Sequence, residues 1–280
     1  MTSLGIDIGG TSVKLAQIAG GRTVWTGQSP FYARPTTAQL IDAMRAAAKG
    51  RVARADAAGL CVPGLYDKAR RMITLSVNVP GLMDLVLDDL VAQAFGPVVK
   101  NLKIINDAVA TATDVIRARG LRGRVVSIAL GTGVGMGVLD DGVPLFIEGA
   151  SPGHIGQVDC SIEGDSVIGP DGGAGSLEGY IGVPALVERY GSMDEFFARV
   201  TIGDAPILAL VRAIRICHAI YRPHHVIIVG GVGTRLGKLM PDLKRAVDTN
   251  LTSVARKDWT LLAGDSDFHA ALGAAHLASQ

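Results

Sequence analysis

Leu4-Gly5-Ile6-Asp7-Ile8-Gly9-Gly10-Thr11-Ser12-Val13-Lys14 stands near the start of the sequence, and Val126-Ser127-Ile128-Ala129-Leu130-Gly131-Thr132-Gly133-Val134-Gly135 returns to its pattern in the second half. Each copy reads as a buried strand, a glycine turn carrying a threonine, and a second strand. With Thr11 set over Thr132, Gly10 falls on Gly131, Val13 on Val134, Ile18 on Leu139 and Gly21 on Gly142. The first copy spans strands at 4–8, 13–19 and 23–26, with Gly20-Gly21 as a turn. The second spans 125–130, 134–139 and 143–146, with Asp140-Asp141-Gly142 as a turn. Strand, turn and hairpin follow in the same order, so the chain reads as an internal duplication.

Working outward, a helix starts at Thr36 or Thr37 and stops at Gly50. A strand at 58–62 then breaks at Pro63-Gly64, and a helix follows over 84–95. A short strand at 103–105 ends on Asn106-Asp107, and a helix over 108–119 is closed by Gly120. After a glycine-rich irregular stretch, 149–175, a helix is expected near 176–181. The longest helix runs 206–221, with Pro206 at its start. A strand at 225–229 leads through Gly230-Gly231 to a helix over 234–250, and small residues form a last helix at 270–278. Strands alternating with helices make this an α/β protein.

Composition narrows the classes. Of 280 residues, 48% are hydrophobic, enough for a substantial core. Lys+Arg is 27 against Asp+Glu 26, without the clustered basic excess a nucleic-acid binder needs. Three separated cysteines, Cys61, Cys160 and Cys217, make neither a disulfide framework nor a four-cysteine zinc site. The longest apolar runs are too short to span a bilayer, and no leader pattern opens the sequence, so a cytoplasmic location and no membrane partner are expected.

The chemistry concentrates at the glycine turns. A backbone that turns sharply exposes successive N–H groups, and such a concavity binds oxyanions. Two related turns could grip one polyphosphate. A third Gly-Gly, at the end of the 225–229 strand, could let a nucleotide lie against the backbone at a helix N-terminus. Neither GxxxxGK[ST] nor a strand-to-helix GxGxxG occurs. Asp107 lies where a strand meets a helix, a place where aspartate commonly serves as a cap. With Asn106, Asn78 and the phosphate-type turns beside it, it could also accept the proton of an attacking hydroxyl. Gly149-Ala150-Ser151-Pro152-Gly153 matches a nucleophile elbow, but Pro152 has no N–H for an oxyanion hole, which excludes an esterase. His218, His224 and His225 read as packing or surface residues.

Together these segments resemble the ROK family (repressor, open reading frame, kinase) of the actin-like sugar kinases. The carrying motifs are Asp7-Ile8-Gly9-Gly10-Thr11 with Lys14, Pro63-Gly64, Asn78-Val79-Pro80-Gly81, Asn106-Asp107-Ala108, Leu130-Gly131-Thr132-Gly133-Val134-Gly135, Leu177-Glu178, Gly230-Gly231 and Gly273-Ala274-Ala275. The resemblance implies a two-lobed actin-like (ribonuclease H-like) ATPase fold with duplicated mixed β-sheet lobes and a central cleft. The lobes expected are 1–115 with the last helix, about 268–280, and 116–267. It implies ATP with Mg²⁺ as cofactors, a sugar or cyclitol as substrate, and a homodimer. Asp107 would be the catalytic base. Asn78, Asn106, Asp107, His154, Gln157 and Glu178 would hold the sugar. Gly9, Gly10, Thr11 and Lys14, with Gly131, Thr132 and Gly133, would hold phosphate; Gly230 and Gly231 would lie by the adenosine, and Asp7 by the Mg²⁺.

Two departures from the family pattern bear on substrate. Where the family has Gly-Glu-Ile-Gly-His, this chain has Gly153-His154-Ile155-Gly156-Gln157, which points away from plain glucose. The family's three zinc cysteines fall on Gly169, Asp171 and Ser176, so no structural zinc is expected. That absence also resembles polyphosphate-dependent glucokinases, so polyphosphate is an alternative donor. A non-catalytic sugar-binding regulator is the other alternative.

Overall fold

A computed structural model of the protein describes residues 1–52, 54–76, 78–147 and 152–280. Gly149, Ala150 and Ser151 of the elbow-like run lie outside the described residues. The chain divides into two compact units, Met1–Ala118 with Phe268–Gln280, and Arg119–Ile147 with residues 152–267.

The first unit is built on β1 (Thr2–Ile8), β2 (Val13–Ala19) and β3 (Arg22–Gln28), followed by α1 (Thr37–Ala48) and β4 (Ala57–Cys61). The hairpin β5 (Leu65–Asp67) and β6 (Met72–Leu75), α2 (Leu87–Phe95), β7 (Leu102–Ile105) and α3 (Asp107–Arg119) complete the run. The main sheet has the order β3-β2-β1-β4-β7, with β1 antiparallel to β2 and parallel to β4. Thr36 caps α1 in a full capping box with Gln39.

The second unit repeats the plan. It contains β8 (Arg124–Leu130), β9 (Val134–Asp140) and β10 (Val143–Pro144), then α4 (Leu177–Ile181), α5 (Val183–Tyr190), α6 (Met193–Arg199) and α7 (Ala205–Tyr221). β11 (His225–Val229), α8 (Gly230–Gly233), α9 (Met240–Thr249) and β12 (Thr260–Ala263) follow. Its sheet order, β10-β9-β8-β11-β12, and its strand senses match the first unit position for position. β1 and β8 share one burial pattern, as do β2 and β9. Both hairpin tips turn through left-handed backbone, Gly20 and Gly21 at φ 56° and 78°, Asp141 and Gly142 at φ 46° and 82°. The duplication is therefore structural. The phosphate-type turns differ in one respect: Ile8 pairs with Val13 across four residues, Leu130 with Val134 across three.

The last helix, α10 (His269–Ala278), belongs to the first unit, where it lies on β1 and β4 with no room to spare. A Cβ on Gly5 would stand 1.7 Å from the Ala271 carbonyl oxygen, and one on Gly59 2.3 Å from that of Ala274. A Cβ on Gly273 would stand 1.7 Å from the Ala110 carbonyl oxygen of α3. Only glycine permits such backbone approach.

Some elements depart from the expectation. α2 starts at Leu87 rather than 84, because Asp84 sits at φ 58° and breaks the helix. The helix expected from 234 already begins at Gly230, and Thr234–Leu239 is a 3₁₀ stretch before α9. The third strand of the second copy covers only Val143–Pro144. Sequence reading found neither the β5–β6 hairpin nor α5, α6 and β12, all of them short.

Candidate active site

In the first unit the carboxyl ends of β1, β4 and β7 lie side by side. Asp7 of β1 is paired in register with Lys14 of β2 on one side and with Cys61 of β4 on the other; Cys61 in turn pairs with Ile105, one residue before Asn106. Asn106 takes the cap of α3: its Oδ1 accepts the Val109 N–H at 3.0 Å. Its carbonyl accepts the first helical hydrogen bond, from Ala110, at 2.9 Å. Capping is thus done by the neighbour of Asp107, which occupies the first helical position and whose Oδ1 accepts the Ala108 N–H at 2.7 Å.

Two carboxylates here are strongly perturbed. Burial pushes Asp7 up to about 7, opposed by the positive charge of Lys14 and helped by the negative charge of Asp107. Burial likewise raises Asp107, partly offset by the N–H groups of Ala108 and of Asp107 itself. The Cys61 thiol rises well above its usual value through burial beside both carboxylates. Desolvated acids beside a phosphate-type turn are suited to proton transfer or to a divalent cation. Mg²⁺ fits this donor: a carboxylate that burial holds near neutrality gains its charge when a cation arrives.

The first turn is braced by Tyr32, which sequence reading missed. Its hydroxyl donates to the Gly9 carbonyl at 2.7 Å and its N–H to the Thr11 carbonyl at 2.8 Å. Burial and the charge of Asp7 raise its pKa. The Gly9 N–H is spent on the Ser12 carbonyl at 3.0 Å, whereas the N–H groups of Gly10 and Thr11 make no hydrogen bond among the described residues. Asn78 is half-buried just before the 3₁₀ turn Pro80–Leu82.

The second unit holds the other candidates. In its turn the Gly131 N–H donates to the Gly133 carbonyl at 3.0 Å, and the N–H groups of Thr132 and Gly133 make no hydrogen bond among the described residues. Both turns therefore keep two adjacent donors for an oxyanion. Glu178 of α4 reaches the same turn, its Oε2 accepting the Val134 N–H at 2.9 Å, and burial raises its pKa. A Cβ on Gly156 would stand 3.0 Å from that oxygen, so the 153–157 run lies against Glu178 too. Gly230, at φ 81°, packs where a Cβ would stand 2.3 Å from the Leu130 carbonyl oxygen, directly before the second turn. Gly231 faces open space.

His154 is exposed, and so is Gln157, which donates to Asp171 Oδ2 at 2.6 Å. The positions aligned with the family's zinc cysteines do gather here: Ser176 Oγ lies where a Gly169 Cβ would be 2.0 Å away, and accepts the Gly179 N–H at 3.2 Å. A glycine, an exposed carboxylate already hydrogen-bonded and a hydroxyl spent on a helix cap do not make a zinc donor set. Hydrogen bonds hold the 159–175 loop instead. Tyr180, fully buried, accepts the Ile162 N–H at 3.0 Å and donates to the Asp165 carbonyl at 2.6 Å. Arg189 grips the Asp165 carboxylate with two bonds, at 2.5 and 2.8 Å. The ladder Cys160 N–H to Gly175 carbonyl and Gly175 N–H to Val167 carbonyl, at 2.7 and 2.9 Å, closes the loop.

Duplicated sheets, each with a glycine turn that keeps two unspent N–H groups, and half-buried carboxylates beside the strand ends of the first are the architecture of the actin-like fold class. Within it the chain belongs to the ROK family, whose sequence profile matches residues 3–280. An N-acetylmannosamine kinase of Escherichia fergusonii is 27% identical over 263 residues, covering 85% of this chain and 86% of that protein. An N-acetyl-D-glucosamine kinase of Erwinia tasmaniensis is 26% identical over 279 residues, covering 90% and 91%. The crystal structure of a ROK family glucokinase from Streptomyces griseus, in complex with glucose and AMPPNP, superposes with a TM-score of 0.79 at 22% identity. That match covers all of both chains. No helix among the described residues is long and apolar enough to cross a membrane.

Proposed function

We propose that this protein is an ATP-dependent kinase that phosphorylates a hydroxyl of an amino sugar, with an N-acetylated hexosamine as the leading substrate class. The carrying observation is the division of labour at the start of α3. Asn106 caps the helix, and Asp107 beside it keeps a half-buried carboxylate whose pKa is raised by desolvation. A carboxylate so raised is a stronger base, and general-base help is worth roughly 10²–10⁴-fold.

In this reading Asp107 takes the proton from the attacking hydroxyl while Asn78, Asn106, His154, Gln157 and Glu178 orient the sugar. Gly10, Thr11 and Lys14 hold phosphate in the first unit, where Gly9 shapes the turn; Thr132 and Gly133 do so in the second, where Gly131 shapes the turn, and Gly230 and Gly231 support the adenosine. Asp7 holds Mg²⁺, which supplies charge neutralisation. Phosphoryl transfer asks mainly for such positioning and neutralisation. The substrate class is supported by the two curated relatives and by the exchange of an acidic for an imidazole side chain at His154. A cytoplasmic homodimer completes the proposal.

The test is a coupled ADP-release screen over glucose, N-acetylated hexosamines, sugar acids and cyclitols, run with ATP and with polyphosphate. Turnover of an N-acetylated hexosamine well above glucose, with ATP as the better donor, is expected. Efficient glucose phosphorylation above every other sugar overturns the substrate class. ATP hydrolysis indifferent to all sugars overturns the kinase reading.

A further inference from the structure

Tyr32 lies outside every motif, half-buried on the stretch between β3 and α1, yet its hydroxyl and its N–H are both spent on the first glycine turn. The hydroxyl holds the Gly9 carbonyl at 2.7 Å and the N–H holds the Thr11 carbonyl at 2.8 Å. A trans peptide is a rigid plane in which the C=O and the following N–H point opposite ways. Holding the Gly9 carbonyl therefore fixes the direction of the Gly10 N–H, and holding the Thr11 carbonyl fixes the plane after Thr11. The plane between those two carries the Thr11 N–H. The two donors that this turn leaves unspent among the described residues thus belong to a backbone gripped on both sides by one residue.

Such a grip matters because glycine opposes a peptide flip only weakly. A flip of the Gly9–Gly10 plane would turn its N–H away and present a carbonyl oxygen where an oxyanion needs a donor. The strap that carries Tyr32 is itself anchored to the turn. Ser29 donates its N–H to the Val13 carbonyl at 2.9 Å, and its Oγ accepts the Val13 N–H at 3.0 Å. Gln28 Nε2 donates to Ser12 Oγ at 3.2 Å. Burial and the negative charge of Asp7 raise the pKa of the Tyr32 phenol, so the hydroxyl keeps its proton and stays a donor.

The second turn holds the same plane by other means. Gly9 and Gly131 each follow the last paired residue of the first strand, Ile8 and Leu130. Each spends its N–H on the carbonyl just before the second strand, Ser12 and Gly133. The Gly131 carbonyl then accepts the Val183 N–H at 3.0 Å. A backbone group does in the second unit what a side-chain hydroxyl does in the first, and only the hydroxyl can be removed by substitution.

We propose that Tyr32 is a positioning residue: its hydroxyl pins the Gly9–Gly10 peptide so that the Gly10 and Thr11 N–H groups face the phosphates of the nucleotide before it arrives. This rests on the kinase reading given above and deepens it.

Isothermal titration of the full chain and of Tyr32→Phe, with AMPPNP and Mg²⁺ and separately with adenosine, tests the role. The variant keeps the ring and loses one donor. Its affinity for AMPPNP should fall roughly 3–10-fold, the worth of one hydrogen bond, while its affinity for adenosine, which has no phosphate, stays unchanged. Unchanged AMPPNP affinity, or an equal loss for both ligands, overturns the positioning role and leaves the kinase reading standing. Absence of AMPPNP binding by the unsubstituted chain overturns both. Should Tyr32→Phe not fold, amide hydrogen exchange of the unsubstituted, nucleotide-free protein decides: the Tyr32 N–H must be protected before any ligand is added, and exchange at the rate of an open loop overturns the proposal.

Discussion

The two sheets share one topology and differ in what stands at equivalent positions. In the first, the pair next to the glycine turn is Asp7 with Lys14, and the neighbouring parallel strand brings Cys61. In the second, the pair is Ala129 with Gly135, and the neighbour is Val229. The duplicated frame thus gave each unit backbone donors at a turn, but at these paired positions the first carries ionisable side chains where the second carries apolar ones. The second reaches its turn with Glu178, borrowed from a helix outside the sheet. A repeated scaffold supplies position; substitution at a few strand-end residues decides which copy carries ionisable side chains there.

That contrast can be broken most forcefully at Asp107. Asp107→Asn should lower kcat by roughly 10²–10⁴-fold while nucleotide affinity by titration stays unchanged. Near-normal turnover would remove the first unit's claim to the proton chemistry. Next in size is packing. Gly59→Val puts a side chain into the Ala274 backbone, and urea unfolding should show a loss of about 3 kcal/mol. Gly237→Ala in the second unit, where nothing lies nearby, should stay within about 0.5 kcal/mol. Tyr180→Phe removes the hydroxyl that bridges Ile162 and Asp165, costing about 1–3 kcal/mol and raising the sugar KM more than it lowers kcat. A chelator followed by excess Mg²⁺ should leave melting temperature and activity where they were, and a lasting loss would restore a structural metal to the loop.

A further effect is in pH. Asp7 titrates near 7 in the folded chain against 3.8 in the unfolded one, so the folded state holds the extra proton between those values. Its contribution to stability is full below about 4 and fades as pH rises towards 7. Melting curves of the nucleotide-free protein should therefore fall across that window more steeply for the native chain than for Asp7→Asn. Asp107, raised by burial as well, adds in the same direction. Parallel curves for the two proteins would show that Asp7 is not desolvated.

The β1–β2 and β8–β9 arms were legible because continuous apolar runs joined by glycine turns have few other ways to fold. The candidate residues beside them were readable for the same reason: the turns mark where the strands stop. What the sequence did not show depends on contacts distant along the chain. Tyr32 braces the Gly9 and Thr11 carbonyls from a loop without any motif. Tyr180 and the Arg189–Asp165 pair hold the 159–175 loop through hydrogen bonds that no spacing rule announces. Asn106 and Asp107 are both good caps by type, and only the observed bond from Val109 to Asn106 assigns the task. The 230–239 segment begins as helix at its glycines because Gly230, at positive φ, is fitted against Leu130.

The glycine-lined seat of α10 also dictates an order of events during synthesis. The first unit's sheet cannot cover β1 and β4 until residues 268–280 have been made, since the helix that covers them is translated after the whole second unit. The second sheet has no such debt and can finish first, against the usual N-to-C order of domain folding. A chain halted before α10 would leave the apolar face of β1 and β4 exposed, which makes completion of α10 the event that shields this sheet from aggregation.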